Sequence, residues 1–277
     1  MALLAMYAED MYKIPVLGDN NLTPPVDPRV SATWNVVGYI TGKDAIMDTQ
    51  SMGLGPVVYY GFLAASKTNA AEFVAAIRGT ENFIEWIVDA EFLPVHHALK
   101  GRAEGGFYSV YRSMEYIDGT GAVTDVDEGI ATAIGQGSLT VVGHSLGSAL
   151  ATYLTIDLAV SQQMGARVSA CMFASPRPGD TEFANYFDQQ VASYTLYNYA
   201  LDVVPTVPGL FGYTSLPRAK QIAPDNAQST IENTVPCNHH AVCYAAMLDR
   251  SASDWTTMLT VDQQCASCIE GPNTSST

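Results

Sequence analysis

The stretch VVGHSLGSALATYL, residues 141–154, runs from two β-branched valines through a Gly-His-Ser-Leu-Gly pentapeptide into an apolar helical pattern. A strand that turns directly into a helix puts its corner residue in a conformation that side chains rarely adopt. Such a corner fits only where the residues two positions before and after carry almost no side chain. Gly143 and Gly147 meet that need and leave the Ser145 hydroxyl standing above the sheet. The helix that opens there adds free N–H groups and partial positive charge beside the serine. A serine capping an ordinary helix start would look similar, so the decision rests on what else the chain supplies.

A serine hydroxyl becomes a useful nucleophile when a base takes its proton, and an imidazole oriented by a carboxylate can be that base. The chain has five histidines: His96, His97, His144, His239 and His240. His144 lies inside the corner, where its side chain is expected to point away from the serine. His96 and His97 precede the serine near a proline corner. That leaves the pair in CNHHAVCYAAML. The carboxylate is expected just past a strand end, between serine and histidine in the chain. Asp202 in YTLYNYALDVVPTVP fits, whereas Asp180 in PRPGDTEF reads as a helix N-cap.

Around this motif, strand-like segments at 33–40, 55–66 and 72–79 lead into a region where helices and strands alternate. FYSVYRSMEYI (107–117) and DEGIATAIG (127–135) read as helices, SLTVVGHS as a strand, LGSALATYLTIDLAV as a helix and ARVSACMFAS as a strand. GDTEFANYFDQQ then reads as a helix, ASYTLYNYA as a strand and HHAVCYAAMLDR as a helix. This order predicts an α/β layered fold whose central sheet is parallel in its second half. No linker-like shift divides it, so a single domain is expected over residues 1–265, with 266–277 a flexible tail. MALLAMYAEDMYKIP lacks a basic start and is interrupted by Glu9 and Asp10, so it reads as a short amphipathic helix rather than a signal peptide. GDNNLTPPVDPRV reads as a loop.

With 48% hydrophobic and 15% charged residues the chain is a folded globular protein. Its formal net charge of −15, from 28 acids against 13 bases, argues against nucleic acid as a partner and against attraction to anionic membranes. No apolar run is long enough to span a bilayer, so no stable membrane insertion is expected. Cys171 reads as a core thiol. Cys237, Cys243, Cys265 and Cys268 leave disulfides and reduced thiols both open, and the Cys237–Cys243 spacing does not suit zinc. DVDEG (125–129) lacks the ligands of a calcium loop and reads as a helix start. No cofactor and no metal are expected.

RGT (78–80), GHSLGSALA, SPRPGD, ALDVVPTVP and a late histidine before a tyrosine-bearing helix occur in one order. Together, over roughly residues 55 to 250, they resemble the class 3, fungal-type triacylglycerol lipase family. The resemblance implies an α/β-hydrolase fold, with a mostly parallel central sheet flanked by helices and a short lid. It implies a catalytic triad of Ser145, Asp202 and a C-terminal histidine. His239 is preferred and His240 is the alternative, because NHHAVCY is similar to the His-Ser-x-x-x-Tyr form of bacterial members. It also implies an oxyanion hole from Thr80 and the N–H of Leu146, donors from two segments converging where charge develops. The chain departs from the family before GFY, where Glu104 or Gly105 stands in place of a frequent histidine; packing near the site is expected to change, not the chemistry.

Directly after Thr80, ENFIEWIVDAE places Phe83, Trp86, Ile87 and Ala90 on one helical face and Glu81, Glu85 and Asp89 on another. An ordinary surface helix has the same pattern. Its place beside the oxyanion residue, and the similarly placed tryptophan of the family lid, favour a lid at about 81–95 that turns its apolar face to an oil surface. Leu210, Phe211 and Tyr213 in VPGLFGYTSLP are open to two readings, an acyl groove or core packing. The expected function is a serine-dependent, lid-gated lipase hydrolysing triacylglycerol esters through an acyl-enzyme. A feruloyl or short-chain carboxylesterase and a phospholipase A1 are the near alternatives, and a non-catalytic lipid-binding protein on the same fold is the distant one. The expected partner is a small-molecule lipid ester at an oil–water interface, the expected state a monomer and the expected location secreted, with the cytoplasm the alternative.

Overall fold

A computed structural model of the chain describes residues 1–9, 11, 28–44, 55–80, 93–251 and 267–273. The chain begins with α1 (Ala2–Glu9) and α2 (Pro28–Thr33), then forms β1 (Trp34–Lys43), β2 (Val57–Ser66), β3 (Glu72–Ile77), β4 (Pro94–His96) and β5 (Arg102–Glu104). Helix α3 (Gly105–Arg112), strands β6 (Glu115–Asp118) and β7 (Val123–Asp125) and helix α4 (Val126–Ile134) lead to β8 (Ser138–His144) and α5 (Leu146–Val160). After these come β9 (Val168–Phe173), β10 (Gly179–Asp180), α6 (Thr181–Gln190), β11 (Ser193–Tyr199), β12 (Tyr213–Thr214) and β13 (Ala219–Ile222). The described chain closes with β14 (Ser229–Ile231), α7 (Val235–His239), α8 (Ala241–Leu248) and β15 (Ile269–Pro272).

The main sheet has the order β13-β11-β9-β8-β3-β2-β1-β6-β7. It is parallel from β3 through β8, β9 and β11 to β13, and antiparallel from β3 outward to β7. The two-residue period of a strand sends successive side chains to opposite faces, and both faces here are covered. Ala75, Ile77 and Val141 join one apolar cluster with α3, α4, α5 and α6, whereas Val74, Ala76 and Val142 join another with α1 and α8. Burial of α5 on nearly every side, Leu146 through Ala159, explains why it reads as almost continuously apolar. In open sheets of this kind the site lies at the carboxyl ends of the parallel strands. That edge holds the ends of β3, β8 and β11.

Four local expectations differ from the fold. The helix read over 107–117 stops at Arg112, because Glu115–Asp118 instead pairs antiparallel with β1. The helix read from His239 onward breaks at His240, whose φ of −60° and ψ of 136° are extended. The loop read through residue 30 already contains the start of α2. The tail expected to be flexible from 266 includes β15, which pairs with β14 and is fastened by a Cys237–Cys268 disulfide. Cys171 is a free thiol, and Cys265 lies outside the described residues. Asp180 caps α6 as expected, accepting the Phe183 N–H at 2.9 Å, and Asp127 and Glu128 occupy the first turn of α4.

Glu104, where the family often has histidine, caps α3 by accepting the N–H groups of Gly106 at 3.0 Å and Phe107 at 2.7 Å. It is buried, and burial pushes its carboxyl up to about 7 despite those bonds. Nearby, His97 packs among Tyr108, Tyr153 and Phe183, and burial lowers its imidazole to about 4. The two act on stability in opposite senses. Glu104 contributes fully below its ordinary value of 4.5, and that contribution is lost as pH rises through about 7. His97 contributes fully above 6.5, and that contribution is lost as pH falls through about 4. Glu104→Gln keeps an acceptor at the cap but carries no charge. It is expected to match the native chain near pH ~4.5 and to exceed it by about 3 kcal/mol at pH ~8. Urea unfolding at the two pH values tests this; an equal difference at both would contradict it.

Candidate active site

Ser145 joins β8 to α5 with φ 57° and ψ −132°, a positive φ that non-glycine residues seldom take. Two glycines permit it. A Cβ on Gly143 would overlap the Gly147 carbonyl, and a Cβ on Gly147 would overlap the Ile77 carbonyl on β3. The Ser145 N–H is held by Phe173 O at 3.0 Å. Ser148, a polar residue in the apolar helix, secures the same corner. Its hydroxyl lies 2.8 Å from Gly143 O and 2.7 Å from Phe173 O, and accepts the Phe173 N–H at 3.1 Å. Motif reading passed over Ser148; the signal available was a hydroxyl three residues past the corner, in the first turn of a mostly apolar helix.

Around the serine the structure brings together two of the other expected residues. Ser145 Oγ lies 2.8 Å from His239 Nε2, and His239 Nδ1 lies 2.9 Å from Asp202 Oδ2. A carboxylate only accepts, so Nδ1 carries the hydrogen and Nε2 is free to accept the serine proton. His240, the alternative, is the extended residue between α7 and α8, and it is the His239 ring that meets Ser145 and Asp202. Asp202 is buried beyond the end of β11. Its Oδ1 accepts the Val204 N–H at 2.9 Å, and its Oδ2 also accepts the Tyr244 hydroxyl at 2.7 Å. The Tyr244 oxygen in turn accepts the Tyr199 N–H at 2.8 Å. Asn238, next to His239, donates to Leu201 O at 3.2 Å, next to Asp202. Burial lowers the His239 imidazole below its ordinary value, and the Asp202 carboxylate opposes that shift.

β3 delivers the remaining candidate. Ile77 pairs with Gly143, so the residues after β3 emerge beside the corner. A Cβ on Gly79 would stand 3.1 Å from Ser145 Cβ, and Thr80 follows it, half-buried. Leu146 is the first residue of α5, where backbone N–H groups lack helical acceptors. Phe83, Trp86 and Ile87 lie outside the described residues. Tyr213 is buried, whereas Leu210 and Phe211 are 67% and 51% exposed. His144, expected to point away from the serine, has its ring centroid 4.8 Å from that of His239.

Residues 74–212, half of the chain, match the family described as Lipase (class 3). The chain belongs to the class 3 lipase family. Among relatives of this lipase-family chain is the secreted mono- and diacylglycerol lipase A of Penicillium cyclopium, 31% identical over 207 residues, 72% of this chain and 61% of that one. Another is phospholipase A1-II 5 of Oryza sativa subsp. indica, 29% identical over 259 residues, 83% of this chain and 56% of that one. The class 3 chain thus spans 61% and 56% of the length of these curated relatives.

A solved mutant form of MDLA from Penicillium cyclopium superposes on the class 3 chain with a TM-score of 0.54 at 25% identity, covering 80% of this chain and 76% of that one. Rhizomucor miehei lipase, in its propeptide complex, does so with a TM-score of 0.54 at 18% identity, covering 92% and 78%, a likeness of fold. The fold is that of the α/β hydrolases.

Tyr244 is the member of this site whose removal has the clearest structural consequence. Tyr244→Phe leaves the buried Tyr199 N–H without its acceptor and takes one donor from Asp202. It is expected to lose about 1–3 kcal/mol of unfolding free energy, measured by urea denaturation. An unchanged denaturation midpoint would contradict this reading of the bond.

Proposed function

We propose that this class 3 lipase-family protein is a serine-dependent lipase hydrolysing the carboxylic esters of triacylglycerols, with Ser145, His239 and Asp202 as its triad. The observation that carries the reading is the unbroken hydrogen-bond chain that starts at Ser145 Oγ on a strained strand-to-helix corner and runs through His239 to buried Asp202. Ser145 attacks the ester carbonyl while His239 takes the hydroxyl proton and then gives it to the leaving alcohol. Asp202 keeps the imidazole in the tautomer that can accept and stabilises its charged form. The Leu146 N–H and Thr80 stabilise the oxyanion. Water, activated by the same histidine, then cleaves the acyl-enzyme and restores Ser145. These steps draw on the chain's own groups and need no cofactor.

The lipid character of the substrate draws support from apolar side chains exposed close in sequence to the triad. Leu201 and Val203 flank Asp202, Val235 opens the helix that ends at His239, and Leu210 and Phe211 follow on the next loop. The amphipathic segment after Thr80, with Phe83, Trp86 and Ile87, serves as a lid over the site. The relatives named as a mono- and diacylglycerol lipase and as a phospholipase A1 favour partial glycerides and phospholipid as second readings. The Cys237–Cys268 disulfide and the secreted Penicillium relative support an extracellular protein.

The test is initial rate against tributyrin concentration, taken through its solubility limit, with Ser145→Ala as the blank. A steep rise as droplets form is expected, with the variant lower by at least ~10³-fold. Saturation below the limit would remove the lid gating, and faster turnover of phosphatidylcholine would shift the reading to a phospholipase. Neutral His239 is the base and its imidazole is lowered by burial. The acidic limb of kcat/KM on a soluble ester is therefore expected to have its midpoint below the ordinary histidine value of 6.5. A midpoint above 6.5 would contradict that assignment.

A further inference from the structure

The last residue of α1 reaches into the site from a distant part of the sequence. Glu9 Oε1 accepts the Gly79 N–H at 3.1 Å and lies 3.6 Å from His144 Nδ1. The other ring nitrogen of His144 is 2.7 Å from the backbone carbonyl of His239. A carbonyl only accepts, so His144 Nε2 carries a hydrogen and donates; Nδ1 then faces the Glu9 carboxylate, an attractive pair when the ring carries both hydrogens. His239 ends a five-residue helix, and the chain turns extended at His240. The His144 imidazole is a donor to that carbonyl at the end of the helix. The two rings lie 4.8 Å apart, and His144 is buried.

Around Gly79 the same parts converge. A Cβ there would lie 3.0 Å from His144 O, 3.1 Å from Ser145 Cβ and 3.3 Å from Glu9 Oε1. Leu4, Ala5, Tyr7 and Ala8 bury α1 in the cluster that also holds α8, so Glu9 projects from an anchored helix.

We propose that Glu9 and His144 are positioning residues, a strut in which Glu9 fixes Gly79 beside Thr80 and orients His144, while His144 holds the His239 backbone so that its imidazole stays aligned with Ser145. This rests on the reading of Ser145 and His239 as the reacting pair. Neither Glu9 nor His144 touches the reacting atoms; both act through their neighbours. A displaced base weakens proton transfer without altering ground-state binding, so the effect falls on kcat and not on KM.

The experiment uses the full chain with p-nitrophenyl butyrate for steady-state rates and a p-nitrophenyl alkylphosphonate for inactivation at Ser145. Thermal melts establish that each variant is folded. His144→Asn is too short to reach the His239 carbonyl. It is expected to lower kcat and the inactivation rate by about tenfold or more, with KM within about twofold. His144→Gln places an amide N–H near the position of imidazole Nε2 and is expected to recover to within about threefold of the native rate. Glu9→Gln retains an acceptor for Gly79 but loses its charge and is expected to lower kcat about threefold. Combined with His144→Asn it is expected to add nothing, because it acts through that ring.

Native rates in His144→Asn, equal losses in the Asn and Gln variants, or a multiplied loss in the double variant would each overturn the strut. If His144→Asn does not fold, Glu9→Gln at the native kcat overturns it. A native protein inert to both ester and phosphonate would overturn the hydrolase reading and the strut with it. A reactive native protein whose variants match it overturns the strut alone.

Discussion

At φ 57° and ψ −132° Ser145 occupies backbone space that an L-residue enters only under constraint, at a cost of order 1–3 kcal/mol. The constraint is built on both sides of the residue. Gly143 and Gly147 let the end of β8, the start of α5 and the end of β3 approach within distances that no Cβ would allow. Phe173 O holds the Ser145 N–H, and the Ser148 hydroxyl binds the first turn of α5 to both β8 and β9. Because β3, β8 and β9 are hydrogen-bonded neighbours, the corner is fixed by the middle of the sheet. The strain is therefore supported by the best-buried part of the molecule.

A buried carboxylate poses the second problem, because taking its charge out of water is costly unless several donors replace the solvent. Asp202 receives three: the Val204 N–H, the Tyr244 hydroxyl and His239 Nδ1. Each comes from a different local structure, so solvating the carboxylate also joins the end of β11 to α7 and α8. Asn238 adds a second tie between the same loops, and the disulfide at Cys237 fastens α7 to β15. A short helix of five residues has little stability of its own. Here its position is maintained by bonds at Cys237, Asn238 and His239.

What could be read from the chain was whatever local chemistry forces. The corner was legible because its two glycines are a steric necessity within five residues, and the Asp180 cap because capping acts over three. The parallel half of the sheet was legible from the alternation of elements. Residues 113–118 were not, because Tyr116 and Ile117 continue an apolar spacing that suits a helix, and only pairing with β1 makes them a strand. Cys268 and β15 looked like tail because their partners, Cys237 and β14, lie about 30 residues or more away. Glu9 was invisible for the same reason: it meets Gly79 across 70 residues, and no periodicity marks one helix-terminal acid as different from another.

Gly79 is held on both of its backbone groups. Glu9 takes its N–H, while buried Arg78 donates Nη1 to its carbonyl at 3.0 Å and Nε to Tyr59 O at 2.7 Å. The Arg78 guanidinium also lies over the Tyr60 ring at 4.5 Å, so its planar fork is fixed by the β2 backbone and an aromatic face together. The proposed lid begins immediately after Thr80, the proposed oxyanion donor. A segment swinging from an unrestrained Thr80 would drag that donor away each time it moved. With Gly79 held on both backbone groups, its peptide link to Thr80 is fixed, so on the proposed reading the Thr80 N–H would keep its place whatever the following segment did. Preorganisation at Thr80 and movement beyond it would then be compatible in consecutive residues, which is what the proposed gated site with an electrostatic hole would require.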